Sequence, residues 1–540
     1  MERYVCAVDV GTGSARAGVF DQVGTLIGRA EHPIQMHRAQ ADHAEHDSRD
    51  IWGAVCHAVK GAMARANVPP QSVAGISFDA TCSIVVVDAD GGQVSVSTSG
   101  ENRWDTIVWL DHRALAEADE CTATGHRVLD YLGGVMSPEM ATPKLMWLKR
   151  HMPASWKRAS HIFDLADYLA WRASGSQARS LCTMTCKWTY LAHENPGWQR
   201  DFFAGVGLDD IFARAGLPET ASPVGSDLGP LTAQSARELG LTSDCRVATG
   251  VIDAYAGALG VIGGLAGGVG DLKRHLALIA GTSSCVMAMS PTAEAFVGGW
   301  GPYYGAALPD CWIAEGGQSA TGALLDHIIR LHGAGGEPTA DRHRAIAERI
   351  MAVRAEQGLD LAGRLHVLPD FHGNRSPLAD PHALGVISGL NLDASFDSLC
   401  HLYWRTAVGI ALGVRHILDT LNASGFVIDT LHVTGGHTKN PLLMELYADA
   451  VGCTVVEPIA DEAVLTGTAA LAATAAGLYP DVASACAGMR QPGRERRPKH
   501  EAKARFDHDY RVFLEMHRQR KVIDEMSFGY DGTTECPIEA

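Results

Sequence analysis

The chain has no run approaching the roughly 18 consecutive apolar residues that a membrane span needs, so no bilayer-crossing helix is expected. It also has few clusters of Lys and Arg. The formal net charge is −17, and the one basic stretch, residues 494–497, is flanked by acids and reads as a solvated face. Phosphate-backbone binding depends on grouped cations, so a nucleic-acid partner is excluded. No even, dense cysteine framework exists either: thirteen cysteines are scattered from Cys6 to Cys536, which points to reduced thiols rather than a disulfide-stapled secreted fold. Cys182 and Cys186 stand close but lack a second pair to complete a tetrahedral zinc site. The N-terminus lacks the basic start and apolar middle of a signal peptide, so a cytoplasmic location is expected. A Walker A loop, with its Gly-Lys-Ser/Thr ending, is missing as well.

What is present is an ordinary globular composition, 46% hydrophobic and 20% charged, over 540 residues. At about 100 to 200 residues per domain, that length suggests two large domains or three smaller ones. Residues 4–8 form an apolar, β-rich run, residues 16–20 return to a strand pattern, and the segment between carries Asp9, Gly11, Thr12, Gly13 and Ser14, which reads as a hairpin. A strand at 25–30, helical spacing over 51–66 and strands at 73–78 and 83–87 make the first half mixed α/β. Downstream, residues 276–280 run into Gly281-Thr282-Ser283-Ser284 and a second strand at 286–289. The repeated device suggests two related α/β lobes facing one ligand, with the Gly-rich residues 257–270 as boundary and hinge.

Four segments carry polar groups where chemistry would need them. Asp9 ends an apolar strand, where a divalent cation such as Mg²⁺, or donors from the turn, would keep it ionised. Gly11 and Gly13 allow a tight turn and close approach to an anion, while Thr12, Ser14 and Arg16 offer phosphate contacts; an ordinary hairpin with an Asp has the same pattern. Asp253 follows another apolar run and fits either a general base or a helix cap. Gly435 and Gly436 end a strand at 431–434, and Asn440-Pro441 opens a helix over 442–451, which fits a seat for adenosine or a plain strand-to-helix turn.

Taken together, these segments resemble the FGGY family of carbohydrate kinases in order and spacing over nearly the whole chain. The resemblance implies a two-lobed, actin-like ATPase fold of the ribonuclease H type, with duplicated α/β domains and a cleft between them. The expected division is a sugar- and phosphate-binding lobe over residues 1–262, a nucleotide-binding lobe over 263–484 and a peripheral helical extension over 485–540. It further implies ATP and Mg²⁺ as cofactors, with Gly11, Thr12, Gly13, Ser14, Arg16, Gly281 and Thr282 at the phosphates and Gly435, Gly436 and Asn440 at adenosine. Asp253 is then the catalytic base, and Asp9 and Asp253 are the metal-side carboxylates. A homodimer is in keeping with the resemblance.

The segment Trp109-Leu-Asp-His-Arg113 is similar to the family's first-lobe sugar motif, which implies Asp111 and Arg113 near substrate hydroxyls; without the resemblance it reads as a surface ion pair beside a core Trp. Lys187 and Glu315 resemble the substrate-binding pair of the ribulokinase branch. Residues 75–83, 370–377 and 385–389 resemble the pentulose-kinase subgroup acting on D-ribulose, and Asp79-Ala-Thr-Cys82 stands where glycerol kinases carry an Arg-Glu pair. L-ribulose, D-xylulose and pentitols stay open as acceptors, as does a nucleotide-dependent switch or chaperone on the same scaffold.

Overall fold

The computed structural model describes residues 2–265, 272–459 and 462–528. The strands Tyr4–Val10 and Ser14–Phe20 are buried along most of their length, as expected of central strands covered on both faces. The first sheet runs Leu26–Pro33, Ser14–Phe20, Tyr4–Val10, Val73–Ala80, Arg246–Ala248, Asp227–Pro230. Its successive pairings are antiparallel, antiparallel, parallel, parallel and antiparallel. The second sheet repeats that series with Trp312–Gln318, Ser284–Ser290, His275–Ala280, Thr430–Thr434, Thr454–Pro458 and Gly493–Arg496. Trp300–Tyr304 extends it beyond Trp312–Gln318. One plan is therefore used twice, each time opening with a hairpin.

Helix Ser48–Ala66 begins three residues before the apolar periodicity does, because Asp47 caps it and accepts from the Arg49 and Asp50 amides. Its end is set by Asn67 in the left-handed conformation. A smaller sheet in the first half, ordered Glu45–His46, Thr106–Ile107, Ile84–Val87, His161–Asp164, supports the loop that carries Trp109.

The two halves meet along a pair of helices, Asp253–Ile262 and Ala463–Ala475. A Cβ on Gly260 would lie 2.0 Å from the Ala463 carbonyl, and one on Gly467 would lie 2.0 Å from that of Ala256. Only glycine permits this approach. Helix Ala463–Ala475 also packs on strands Tyr4–Val10 and Val73–Ala80, so the second half of the chain buttresses the first sheet. Of the Gly-rich residues expected to hinge, 257–262 are helical, 263–265 form a short 3-10 turn, and 266–270 lie outside the described residues.

Beyond residue 485 the sequence reads as peripheral helix, but the structure adds the strand Gly493–Arg496 to the second sheet. Its charged residues mark an exposed edge strand and hide the usual apolar alternation. The following helix, His500–Phe528, docks through a buried Arg405–Asp509 pair at 2.8 Å and an Arg415–Asp507 pair. No described helix is long and apolar enough to cross a membrane.

Candidate active site

The first hairpin closes with the Gly11 amide donating to the Ser14 carbonyl at 3.0 Å. Among the described residues, the amides of Thr12 and Gly13 donate to nothing. Successive free amides at a turn form a concave anion cradle. Behind it, strand register sets Asp9 opposite Arg16 on one side and Asp79 on the other. Arg16 Nη2 lies 2.7 Å from Asp9 Oδ2, so the guanidinium is held on this carboxylate.

Asp79 received no role from the sequence, although it ends an apolar strand just as Asp9 does. Thr468, from helix Ala463–Ala475, donates to Asp79 Oδ2, while Asp79 Oδ1 and Asp9 Oδ1 are buried without a hydrogen-bond partner. Burial, only partly opposed by Arg16, raises Asp9 to about 6, and burial together with Asp9 holds Asp79 well above the usual carboxylate range. Two crowded carboxyls with bare oxygens are costly unless a cation completes them. No group of three or more metal-ligating side chains gathers among the described residues. A cation that takes one or two carboxylates and fills its remaining positions with water and phosphate oxygens, as Mg²⁺ does, fits this donor set.

The second hairpin is similar, but its turn is tighter by one residue and lacks the charges. The Gly281 amide donates to the Ser283 carbonyl at 2.8 Å, and among the described residues the Thr282 and Ser283 amides are again unspent. The carbonyls of Gly281 and Thr282 are tied back by the amides of Gly322, Thr321 and Ala323. His437, which the sequence reading passed over, bridges the Tyr447 hydroxyl at 2.8 Å and the Gly281 carbonyl at 3.0 Å. Burial lowers it to about 4, so the ring is neutral near pH 7.

This histidine fastens the hairpin to the segment after strand Thr430–Thr434. Gly435 there has φ 90°, and a Cβ would lie 2.5 Å from the Ala280 carbonyl. Asn440 caps helix Pro441–Asp449: its Oδ1 accepts from the Leu442 amide at 3.1 Å and its Nδ2 donates to the Tyr403 hydroxyl at 3.2 Å. The side chain is thus engaged as a cap, leaving the backbone of Gly435 and Gly436 as the open surface.

Asp253 is the first residue of helix Asp253–Ile262, one place past the cap position, and its Oδ1 accepts from the Ala254 amide at 2.7 Å. Burial raises its pKa, against the pull of Ala254, Arg16 and Lys187. Lys187 ends the helix Leu181–Lys187, and its Nζ lies 4.4 Å from the Trp300 ring centroid. Glu315, on the strand paired with Trp300, accepts from the Tyr255 hydroxyl at 2.9 Å. Burial works against the Lys187 ammonium, yet Cys82, Glu315 and Glu139 together hold its pKa above the ordinary value. Asp253, Lys187 and Glu315 thus lie within electrostatic reach of one another, where the two halves of the chain face each other.

The Trp109 motif divides. Its indole donates to Thr12 Oγ1 at 3.0 Å, joining it to the first hairpin. Asp111 and Arg113 lie behind, in a closed network: Asp111 accepts from the Ala44 and Arg113 amides and from Arg113 Nε and Nη2. Arg113 also reaches the Val96 carbonyl and Glu45. The ion pair exists, but it is fully buried rather than a surface pair, and its donors are spent inside the protein. These two residues brace the loop and do not present bare polar atoms to a ligand, which alters their expected direct contact with sugar.

Comparison with known proteins accords with this arrangement. The model described as "FGGY family of carbohydrate kinases, N-terminal domain" matches residues 4–260, and that for the C-terminal domain matches residues 276–476. An FGGY carbohydrate kinase domain-containing protein of Xenopus laevis is 42% identical over 542 residues, spanning 96% of this chain and 97% of its own length. A D-ribulokinase of Saccharomyces cerevisiae is 37% identical over 513 residues, spanning 88% and 72%. Among solved structures, a xylulose kinase from Rhodospirillum rubrum superimposes with a TM-score of 0.79 at 22% identity, covering 96% of this chain and 99% of its own. A glycerol kinase from Plasmodium falciparum with ADP gives 0.73 at 14%, covering 95% and 98%. These two likenesses establish the two-lobed actin-like fold. With two such lobes and this coverage, the chain belongs to the FGGY family of carbohydrate kinases and is an ATP-dependent sugar kinase.

Proposed function

We propose that this kinase phosphorylates a pentulose, D-ribulose, yielding D-ribulose 5-phosphate, with the sugar held at the cluster of Asp253, Lys187 and Glu315. The observation that carries the reading is the convergence of these three side chains from separate segments beside the first hairpin. The 37% identity to a D-ribulokinase favours D-ribulose over its epimers.

In this reading Asp253 accepts the proton of the sugar hydroxyl as that oxygen bonds to the γ-phosphorus. The bond to the bridging oxygen breaks and ADP leaves. Burial raises the pKa of Asp253, which makes it a stronger base than an exposed carboxylate. Asp9 and Asp79 hold Mg²⁺, which supplies charge neutralisation at the phosphates when bound, and the free amides of the two turns receive phosphate oxygens. Gly435 and Gly436 carry adenosine on open backbone. Lys187 and Glu315 orient the acceptor, and their desolvated charges would be stranded by a ligand lacking matching hydroxyls.

The test is ADP release measured with D-ribulose, L-ribulose, D-xylulose, pentitols, hexuloses and glycerol. The highest kcat/KM is expected for D-ribulose. A higher value for glycerol or a hexulose would refute the pentulose assignment.

A further inference from the structure

Most buried cations among the described residues have their donors taken by oxygen. Arg113 bonds to Asp111, Glu45 and the Val96 carbonyl, and Arg405 bonds to Asp509 and the Leu365 carbonyl. Two cations beside the cleft do not. Lys187 Nζ has no oxygen partner among the described residues and rests on the face of Trp300. Among the described residues Arg375 has only Glu139 Oε1, at 3.5 Å from its Nη2, and the Cys285 sulfur, at 3.8 Å from Nη1, with its guanidinium 5.5 Å from the same Trp300 ring. Its side chain is 11% exposed, so water satisfies little of the deficit. A buried guanidinium with five donors and one long ion pair is an expensive arrangement unless something brings oxygens to it.

The surroundings indicate what that is. Arg375 belongs to the segment between Asp370 and Pro377, in the second half of the chain, and Glu139 to the first half. The pair therefore crosses the cleft. The same segment makes a second crossing, where the His372 ring faces that of His112 with centroids 6.2 Å apart. Behind it, Asn374 donates to Asp370 Oδ1 at 3.0 Å, and His517 of the C-terminal helix stands 3.6 Å from Asp370 Oδ2, so the segment is fastened from the side away from the cleft. Arg375 is thus presented beside Lys187 and Trp300, in the electrostatic company of Glu315 and Cys82.

We infer that Arg375 is a further substrate-binding residue, donating from the second lobe to oxygens of the sugar, and that Glu139 is the positioning residue that aims it across the cleft. The inference rests on the acceptor site proposed above. Substrate oxygens complete the guanidinium, so closing the cleft on sugar and satisfying Arg375 are one event. Planar, multi-donor recognition of this kind is not reproduced by the point charge of a lysine.

The experiment is a cycle between protein and ligand, using D-ribulose and its 1-deoxy, 3-deoxy and 4-deoxy forms with wild type, Arg375→Lys and Glu139→Gln. KM and kcat are read separately, together with the Kd for ADP. Arg375→Lys is expected to raise KM for D-ribulose by about tenfold or more while leaving the Kd for ADP within about twofold. One deoxy form should lose most of its penalty in that variant, because its missing hydroxyl and the missing guanidinium share one contact. Glu139→Gln should show the same pattern at smaller amplitude, and it decides the matter if the arginine variant does not fold. Equal penalties on every deoxy form, or a parallel loss of ADP affinity, would overturn the inference in favour of a purely structural pair. If no pentulose stimulates wild-type ADP release, the acceptor reading itself fails, which is a distinct result.

Discussion

The two hairpins occupy equivalent places in sheets built on one plan, and both turns leave successive amides free, although the second closes one residue sooner. Their neighbours differ at every charged position. Where the first sheet sets Asp9 between Arg16 and Asp79, the second sets Ile279 between Cys285 and Thr434. Turns with free amides are common to both, so the proposed phosphate binding by amides would belong to the shared plan. The carboxylates are a property of one copy. In the proposed reading both turns seat phosphates, and among the described residues only the first sheet sets carboxylates able to hold a cation behind its turn, with Asp253 nearby to take a proton. The second lobe gained its glycine pair and the His437 brace instead.

The strongest way to break this division is to neutralise the base. Asp253→Asn is expected to lower sugar-dependent ADP formation by about 10² to 10⁴. ADP binding should persist, since the second lobe's seat is untouched. Turnover close to wild type would mean that the first lobe's carboxylate is not the proton acceptor.

A second effect follows from the cost of the charges. In the folded apo protein Asp9 titrates near 6, above its ordinary 3.8. A raised folded value means a contribution that is fully present below about pH 4 and lost as pH rises through about 6. Asp9→Asn should therefore stabilise the apo protein by about 3 kcal/mol at pH 7, and the gain should vanish near pH 4. Denaturant unfolding at both values checks it. Ile279→Asn should give no such pH-dependent gain, because that position carries no carboxylate to relieve.

The smallest expected effect is at the buttress. Thr468→Val removes the donor to Asp79 Oδ2 and should cost about 1 to 2 kcal/mol in stability without altering adenosine affinity. Urea midpoints and ADP titration separate the two.

Much of this was legible in sequence because strands and turns are local. Both hairpins, the Asn440 cap and the helix after Asp47 follow from residue type and spacing. Register is not local. That Asp79 stands beside Asp9 depends on a parallel pairing across a long crossover, so only its place at the end of an apolar strand hinted at it. Side-chain direction also escaped: Asp111 and Arg113 have the residue types of a sugar site but turn inward onto Glu45 and Ala44. Trp300 and Glu139 belong to no motif, Arg375 lies in the 370–377 stretch without a role of its own in the sequence, and the three meet only across the cleft. Conversely, Lys187 and Glu315 rested on family resemblance, and the fold brings them to opposite walls of the same place.

The division of labour is tested most directly by calorimetric titration of ADP, with and without Mg²⁺, into wild type, Asp9→Asn and Gly435→Ala. Asp9→Asn is predicted to lose most of the gain in ADP affinity that Mg²⁺ confers while keeping metal-free affinity within about threefold. Gly435→Ala, whose Cβ would meet the Ala280 carbonyl, is predicted to weaken ADP binding to a similar extent in both conditions. Full retention of the Mg²⁺ gain in Asp9→Asn would contradict the assignment of the cation to the first lobe.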